Sequence, residues 1–191
     1  KQIVNRLLEP FTYIDVVLSG TDFANWYALR DHKDAQPEIR ELASLMKEVQ
    51  EHSTIKTLLG PGEWHLPYIE DADWQLAKEH LWKSEKIAEA SRDQILDLLK
   101  KASAARCARV SYKLHDGSKT DFAKDLDLFE RLLVSQPLHA SPAEHQATPD
   151  TLLDVVVDGR QTIRYTHHHQ HGNLRGWRQF RKMLPNEFVA G

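Results

Sequence analysis

Between Ser91 and Leu133 the apolar residues recur at steps of three and four. Ile95, Leu96, Leu98 and Leu99 fall on one side of a first segment, and Phe122, Leu126, Phe129 and Leu133 on one side of a second. That period belongs to helices that bury one face. A small-residue stretch, Ala102 to Tyr112, continues the first of them. Upstream, Pro37 suits a first helical position, and Glu38 to about Glu51 reads as a helix with Ile39, Leu42, Leu45 and Met46 inward. A shorter helix runs to Arg30, with Thr21 as its cap. Asp71 to Ala90 reads as helical in part, and Lys1 to Leu8 as the end of a helix stopped by Pro10.

Two stretches carry strand signals. Thr12 to Ser19 is β-branched and aromatic-rich and is expected as a strand. Leu152 to Tyr165 resembles a hairpin with Asp158-Gly159 at its turn. The Gly60-Pro61-Gly62 segment is a turn within a loop over Leu59–Pro67, His115–Ser118 is a second turn, and Ser135–Pro149 reads as irregular. Asn173 to Leu184 is expected as a closing basic helix. The fold class that follows is α+β, helix-rich with a small antiparallel sheet, and 1–191 is read as a single domain.

Composition narrows the function classes. The chain has 191 residues, 28% of them charged, with a formal net charge of −3. This balance excludes a global electrostatic grip on nucleic acid. No apolar run reaches the ~18 residues of a membrane span, and no secretory leader or glycosylation sequon occurs. The single cysteine rules out an internal disulfide. A cytoplasmic location without membrane or nucleic-acid partners is expected. The first residue is Lys, which reads as a trimmed or partial polypeptide.

Standard catalytic motifs are absent: no Gly-x-Gly-x-x-Gly, no phosphate-binding Gly-Lys-Ser/Thr loop, no Gly-x-Ser-x-Gly and no His-Glu-x-x-His. Cys107 lies between Arg106 and Arg109, whose charges would favour a thiolate, but a small buried thiol on a packed helix is the preferred reading. His167, His168, His169 and His171 form a dense tract that could capture zinc or nickel. No carboxylate follows it at regular spacing, so a solvated loop is preferred and no metal is assigned. His139-Ala140-Ser141-Pro142-Ala143-Glu144-His145 gathers two imidazoles, a hydroxyl and a carboxylate; either a metal site or a Ser-Pro-x-Glu helix start fits, and the cap is favoured. Arg6 and Arg30 bracket the first strand–helix unit. Such guanidinium groups either hold a phosphate through their fixed fork of donors or pair with Glu9 or Asp31 at the surface.

Four blocks together carry a resemblance. Leu29-Arg30 followed by Ala35-Gln36-Pro37-Glu38-Ile39-Arg40 resembles the Leu-Arg-x(4)-Ala-Gln-x-Glu-Ile block of flavin-dependent thymidylate synthases. Asn5-Arg6-Leu7-Leu8-Glu9-Pro10 is similar to that family's Ala-Arg-x-x-Leu-Pro segment. Ala108-Arg109-Val110-Ser111-Tyr112 resembles its Ala-Arg-Val-Ser-Tyr/Phe block, and the run from His139 to His145 its His-x-Thr-Pro-Phe-Glu-His. The block order is rotated, as in a circularly rearranged subgroup. The family's Arg-His-Arg-x-x-Ser signature is missing; Arg178-Gln179-Phe180-Arg181 with Asn186-Glu187 is the nearest text. In a rearranged member that signature is expected upstream of Lys1, which would make the chain the carboxy-terminal portion of a longer enzyme. Ser19-Gly20-Thr21 stands where the family has an Asn-x-Arg flavin contact.

The resemblance implies an α+β homotetramer that methylates dUMP reductively, with FAD as cofactor and methylenetetrahydrofolate and NADPH as co-substrates. Arg6 and Arg30 would bind dUMP, and Arg30 would stabilise charge developing on the uracil as the catalytic residue. Ser111, Ser141 and Glu144 would contact the flavin and its phosphates, and Asn25 and His139 would line the flavin and folate side. The family uses no enzyme cysteine as nucleophile, in agreement with a structural Cys107. Two other activities stay open: a pyrimidine-nucleotide hydroxymethylase on the same scaffold, and a non-catalytic nucleotide-binding or assembly module.

Overall fold

The computed structural model describes residues 7, 11, 13, 15–54, 57–110, 121–134, 138–157, 160–185 and 187. Among the described residues five α-helices and short strands form a mixed α+β fold. The contacts gather into two compact units within 1–191, each assembled from separated stretches: 1–19, 65–147 and 179–191 in the first, 20–64 and 148–178 in the second. Among the described residues no helix is long and apolar enough to cross a membrane.

The first unit is built on three helices, α3 (Asp71–Glu85), α4 (Arg92–Arg109) and α5 (Phe122–Phe129). Local chemistry fixes where each begins. Asp73 accepts a 2.8 Å bond from the Glu70 backbone N–H ahead of α3. Ser91 and Gln94 form a reciprocal capping box at α4, their bonds 3.3 and 2.9 Å long. Asp121 accepts from the Ala123 backbone N–H at 3.0 Å and caps α5. The helices close on a core of Ala77, Leu81, Ile95, Leu98, Leu99, Ala102, Phe122 and Leu126. The periodicity from Ser91 onward therefore matches the buried face, and Ala102 and Ala105 at zero exposure let the helices approach closely.

The second amphipathic run does not stay α-helical to Leu133. It passes into a π-helical turn over Glu130–Val134, which keeps Leu133 buried while the backbone changes pitch. Phe129, just ahead of the change, stacks on Phe180 with ring centroids 6.0 Å apart. Burying an aromatic ring of this size is worth roughly 2–3 kcal/mol.

A buried ion network ties the same helices together. The Arg106 guanidinium donates to both Asp73 carboxylate oxygens at 2.7 Å, to Asp125 at 2.8 Å and to the Tyr68 carbonyl at 2.6 Å. Arg109 also bonds Asp125, whose side chain is fully buried. Tyr68 adopts a left-handed backbone, φ 63°, to present its carbonyl there.

The second unit holds α1 (Ala24–Arg30), α2 (Pro37–His52) and a hairpin of β2 (Leu152–Val157) and β3 (Arg160–Tyr165). Pro37 does begin α2. The expected hairpin is present and antiparallel, with Leu152 opposite Tyr165 and Val157 opposite Arg160; its turn residues 158 and 159 lie outside the described residues. A short β1 (Ala147–Pro149) pairs with β4 (Trp177–Gln179) where the chain passes between the two stretches of sequence.

Four expectations are corrected. The described residues of Thr12–Ser19 form no strand: β-branched composition favours extended backbone, but a strand needs a ladder partner, and Val16 and Leu18 are exposed. Asn173–Leu184 is not a helix. Gly172 and Gly176 adopt φ of +58° and +81°, which breaks helical propagation, and β4 and a 3₁₀ turn (Phe180–Met183) follow. On α2, Leu42 and Leu45 lie outward and half exposed, and the small Ala43 is the fully buried residue. Thr21 does not cap α1; it accepts a bond from the Arg175 backbone N–H at 2.9 Å, and α1 begins after Phe23. The amino-terminal helix and the turn over His115–Ser118 fall on residues that, Leu7 aside, lie outside the described set.

Candidate functional site: a cleft at the end of helix α4

In the first unit, α4 delivers Cys107 and Ala108 to one wall of a cleft of about 400 Å³. Leu132, from the π-helical turn, forms a second wall. The third is the 3₁₀ turn Ser141–Glu144 with its flanks, which contribute His139, Ser141, Pro142, Glu144 and His145. The turn exists because Pro142 fixes the backbone near its start and the Ala143 N–H bonds the Ala140 carbonyl at 3.0 Å. The Ser-Pro-x-Glu signal is thus a 3₁₀ turn and not the first turn of an α-helix; Ser141 makes no capping bond in it.

Polar groups around the cleft are held from beneath. Gln146 is fully buried beside Ser103 Oγ; its amide nitrogen donates to the Pro142 carbonyl at 3.1 Å and its oxygen accepts from the Ala104 backbone N–H at 3.2 Å. The Gln179 amide donates to the Glu144 carbonyl at 3.0 Å. His145 Nδ1 lies 3.2 Å from Ser19 Oγ. Burial pushes the His145 imidazole below its ordinary pKa; Glu144 beside it opposes the shift and His65 adds to it. The ring is therefore a neutral hydrogen-bonding group near pH 7. Burial pushes the Cys107 thiol up to about 11, against smaller opposing contributions from the neighbouring Gln146 and Ser103. The flanking cations cannot make it a thiolate, because Arg106 and Arg109 turn to Asp73 and Asp125.

Glu144 is joined by Arg181, whose Nη1 donates to its carboxylate. Arg181 Nε also donates to Glu187 at 3.2 Å, and Lys182 Nζ donates to the same carboxylate at 2.7 Å. The sequence separates Glu144 from Arg181 by 37 positions, so no local pattern could mark the pair.

His139, Ser141 and Glu144 are thus brought together, His139 and Ser141 exposed and Glu144 half-buried. Asn25 and Arg30 lie on α1 in the second unit, both exposed, with Arg30 in its last turn. Arg30 has no ion-pair partner among the described residues. Arg6 and Ser111 lie outside the described residues.

The second unit contains a polar centre that the histidine tract alone does not announce. The Asp150 side chain is fully buried and accepts from His167 Nδ1 and His171 Nε2, both at 2.9 Å, and from the backbone N–H groups of Thr151 and His167, both at 2.8 Å. The Gly176 N–H donates to His171 Nδ1 at 3.2 Å, which assigns the proton of that ring to Nε2. Burial alone would raise the Asp150 carboxyl; the bonds from His167 and His171 and from the two backbone groups outweigh it and hold the group well below the usual range. The tract is therefore anchored at two of its rings, by a carboxylate 17 and 21 positions upstream. Among the described residues no three His, Cys, Asp or Glu side chains are placed to hold a metal ion.

Comparison of the chain with protein-family profiles, curated proteins and solved structures returns no match.

Proposed function

We propose that the chain is a flavin-dependent thymidylate synthase, or the carboxy-terminal portion of one, and that the α4 cleft takes part of its flavin. One observation carries the reading. The three described residues of the His139–His145 block that the resemblance assigns to the flavin and folate side line a single cleft. Its volume, about 400 Å³, lies within the range of about 300–1,000 Å³ usual for small-molecule sites. A cleft of that size suits one ring system of a dinucleotide.

The donor set fits an isoalloxazine or a phosphate better than a metal. Ser141 offers a hydroxyl, His145 a neutral imidazole, and Arg181 a guanidinium already turned towards Glu144. Bound FAD would supply the hydride that the protein itself cannot. Ser141 and Glu144 would hold and orient the cofactor, and His139 would line the folate side. Arg6 and Arg30 would bind the dUMP phosphate and the uracil. Arg30, at the exposed end of α1, would stabilise negative charge on the pyrimidine in the transition state. Methylenetetrahydrofolate would give the carbon and NADPH the electrons, in a homotetramer.

The purified chain, supplied with FAD and dUMP, should show bound-flavin absorbance and release tritium from C5 of labelled dUMP. Arg30→Ala should abolish release while flavin binding persists; Glu144→Ala should weaken flavin binding. Full tritium release by Arg30→Ala would refute the assigned role. The absent Arg-His-Arg-x-x-Ser signature favours a second reading, a nucleotide-binding or assembly module without turnover. It predicts dUMP binding by calorimetry with no tritium release under any cofactor combination.

A further inference from the structure

Asp150 does more than anchor the histidine tract: it fixes which nitrogen each ring presents. The carboxylate accepts from His167 Nδ1 and from His171 Nε2, both at 2.9 Å, so those two nitrogens carry the ring protons. His171 is then fully used, because its Nδ1 accepts from the Gly176 backbone N–H at 3.2 Å. His167 is not. Its ring is half-buried, its Nε2 keeps a lone pair, and among the described residues no hydrogen bond reaches that atom. An imidazole oriented by a carboxylate behind it, with its other nitrogen unprotonated, is the arrangement that metal-ligating histidines use.

A second imidazole stands beside it. The tract passes through a 3₁₀ turn, His168–Gln170, closed by bonds from the Gln170 N–H to the His167 carbonyl at 2.8 Å and from the His171 N–H to the His168 carbonyl at 3.2 Å. Arg178 Nε holds the same turn by donating to the Gln170 side chain at 2.7 Å. That backbone sets the His169 ring centre 6.4 Å from the His167 ring centre. Two imidazoles on one tetrahedral zinc, each with Zn–N of about 2.0–2.1 Å, have centres about 5 Å apart. His169 is exposed and its ring makes no hydrogen bond among the described residues, so rotation of that side chain closes the difference. His168 packs edge-on against His169 at 5.9 Å and, among the described residues, not against the oriented ring of His167.

We propose that His167 Nε2 and the His169 ring bind a divalent transition metal, zinc or nickel, with Asp150 as the carboxylate that orients the first ligand. Two protein ligands leave the other coordination positions to solvent, in keeping with the absence of any third such side chain placed for an ion among the described residues. Imidazole donors select zinc, nickel and copper over the oxygen-seeking magnesium and calcium. The tract is thus not a run of equivalent rings: Asp150, 17 positions upstream, singles out His167. Metal binding here needs no flavin in the other unit.

Calorimetric titration of the full chain, free of any affinity tag, with Zn²⁺ should show one saturable site, and Mg²⁺ should show none. His167→Ala and His169→Ala should each abolish the saturable isotherm, and His168→Ala should leave the affinity unchanged. Asp150→Asn should weaken binding by about 10–100-fold with both ligands still in place. If Asp150→Asn fails to fold, NMR of the unsubstituted chain with ¹⁵N-labelled histidine decides. The His167 proton should sit on Nδ1, Zn²⁺ should shift Nε2 of that ring, and both ring nitrogens of His171 should stay in place. A chain without saturable Zn²⁺ binding overturns the proposal. So do equal losses from the three alanine variants, the mark of adventitious capture by loose imidazoles, undiminished affinity in folded Asp150→Asn, and Zn²⁺-induced shifts at His171 in place of His167.

Discussion

At Gly176 the backbone sits at φ +81°, and a Cβ there would meet Tyr165 Oη at 2.9 Å. Its N–H donates to His171 and its carbonyl accepts from the Asp150 N–H at 3.0 Å, so the position cannot relax without disturbing the buried carboxylate. Gly176→Ala should lower stability by about 1–3 kcal/mol, read as a fall in denaturant midpoint at unchanged slope. Asp150 itself sets a pH dependence. Its folded pKa is depressed below the unfolded value of about 3.9, so its contribution is fully present above that pH and is lost as pH falls towards the folded value. The thermal midpoint should drop below about pH 4, and the gap between the unsubstituted chain and Asp150→Asn should narrow over the same range; a constant gap would place the carboxylate's role elsewhere. Cys107 makes a simpler case. With its thiol pushed up to about 11, alkylation of the folded chain at pH 8 should be far slower than that of the unfolded chain, followed by mass spectrometry in and out of denaturant.

Elements here are joined by charge as much as by apolar contact. Arg106 on α4 serves α3, α5 and the Tyr68 carbonyl at once, and the carboxylates it neutralises are themselves buried. Arg106→Ala should therefore cost about 3–5 kcal/mol, because it takes the guanidinium from the buried Asp73 carboxylate and one of two guanidinium partners from Asp125. Arg106→Met should recover little of this, since the loss is of charge and not of volume. Equilibrium denaturation of both variants checks the point; a cost below about 1 kcal/mol would mean that the network is solvated like a surface pair. The helix starts were legible because Ser91 with Gln94, Asp121 and Pro37 act on their own first turns. The π-helical turn after Phe129 was not, since the sequence still spaces Leu133 at four, and only the packing of its neighbours decides how the backbone delivers it.

For the whole molecule, burial is unevenly shared. The continuous apolar cluster belongs to the first unit, and in α2 of the second only Ala43 is buried. Amide exchange should accordingly be slowest in α4 and α5 and faster in α1 and α2, through local opening; the reverse order, seen by mass spectrometry or NMR, would mean that α1 and α2 are covered more deeply than their exposures indicate. The sequence by itself determined the helix-rich α+β class, the β2–β3 hairpin and the grouping of His139, Ser141 and Glu144. Each follows from residues within a turn or two of one another, where spacing is geometry. The tertiary structure alone decided that Arg181 reaches Glu144, that Asp150 anchors the histidine tract, that Leu42 and Leu45 face outward, and that 173–184 is not a helix. Those outcomes depend on which distant segment supplies a partner, and neither composition nor periodicity carries the separation in space between residues tens of positions apart.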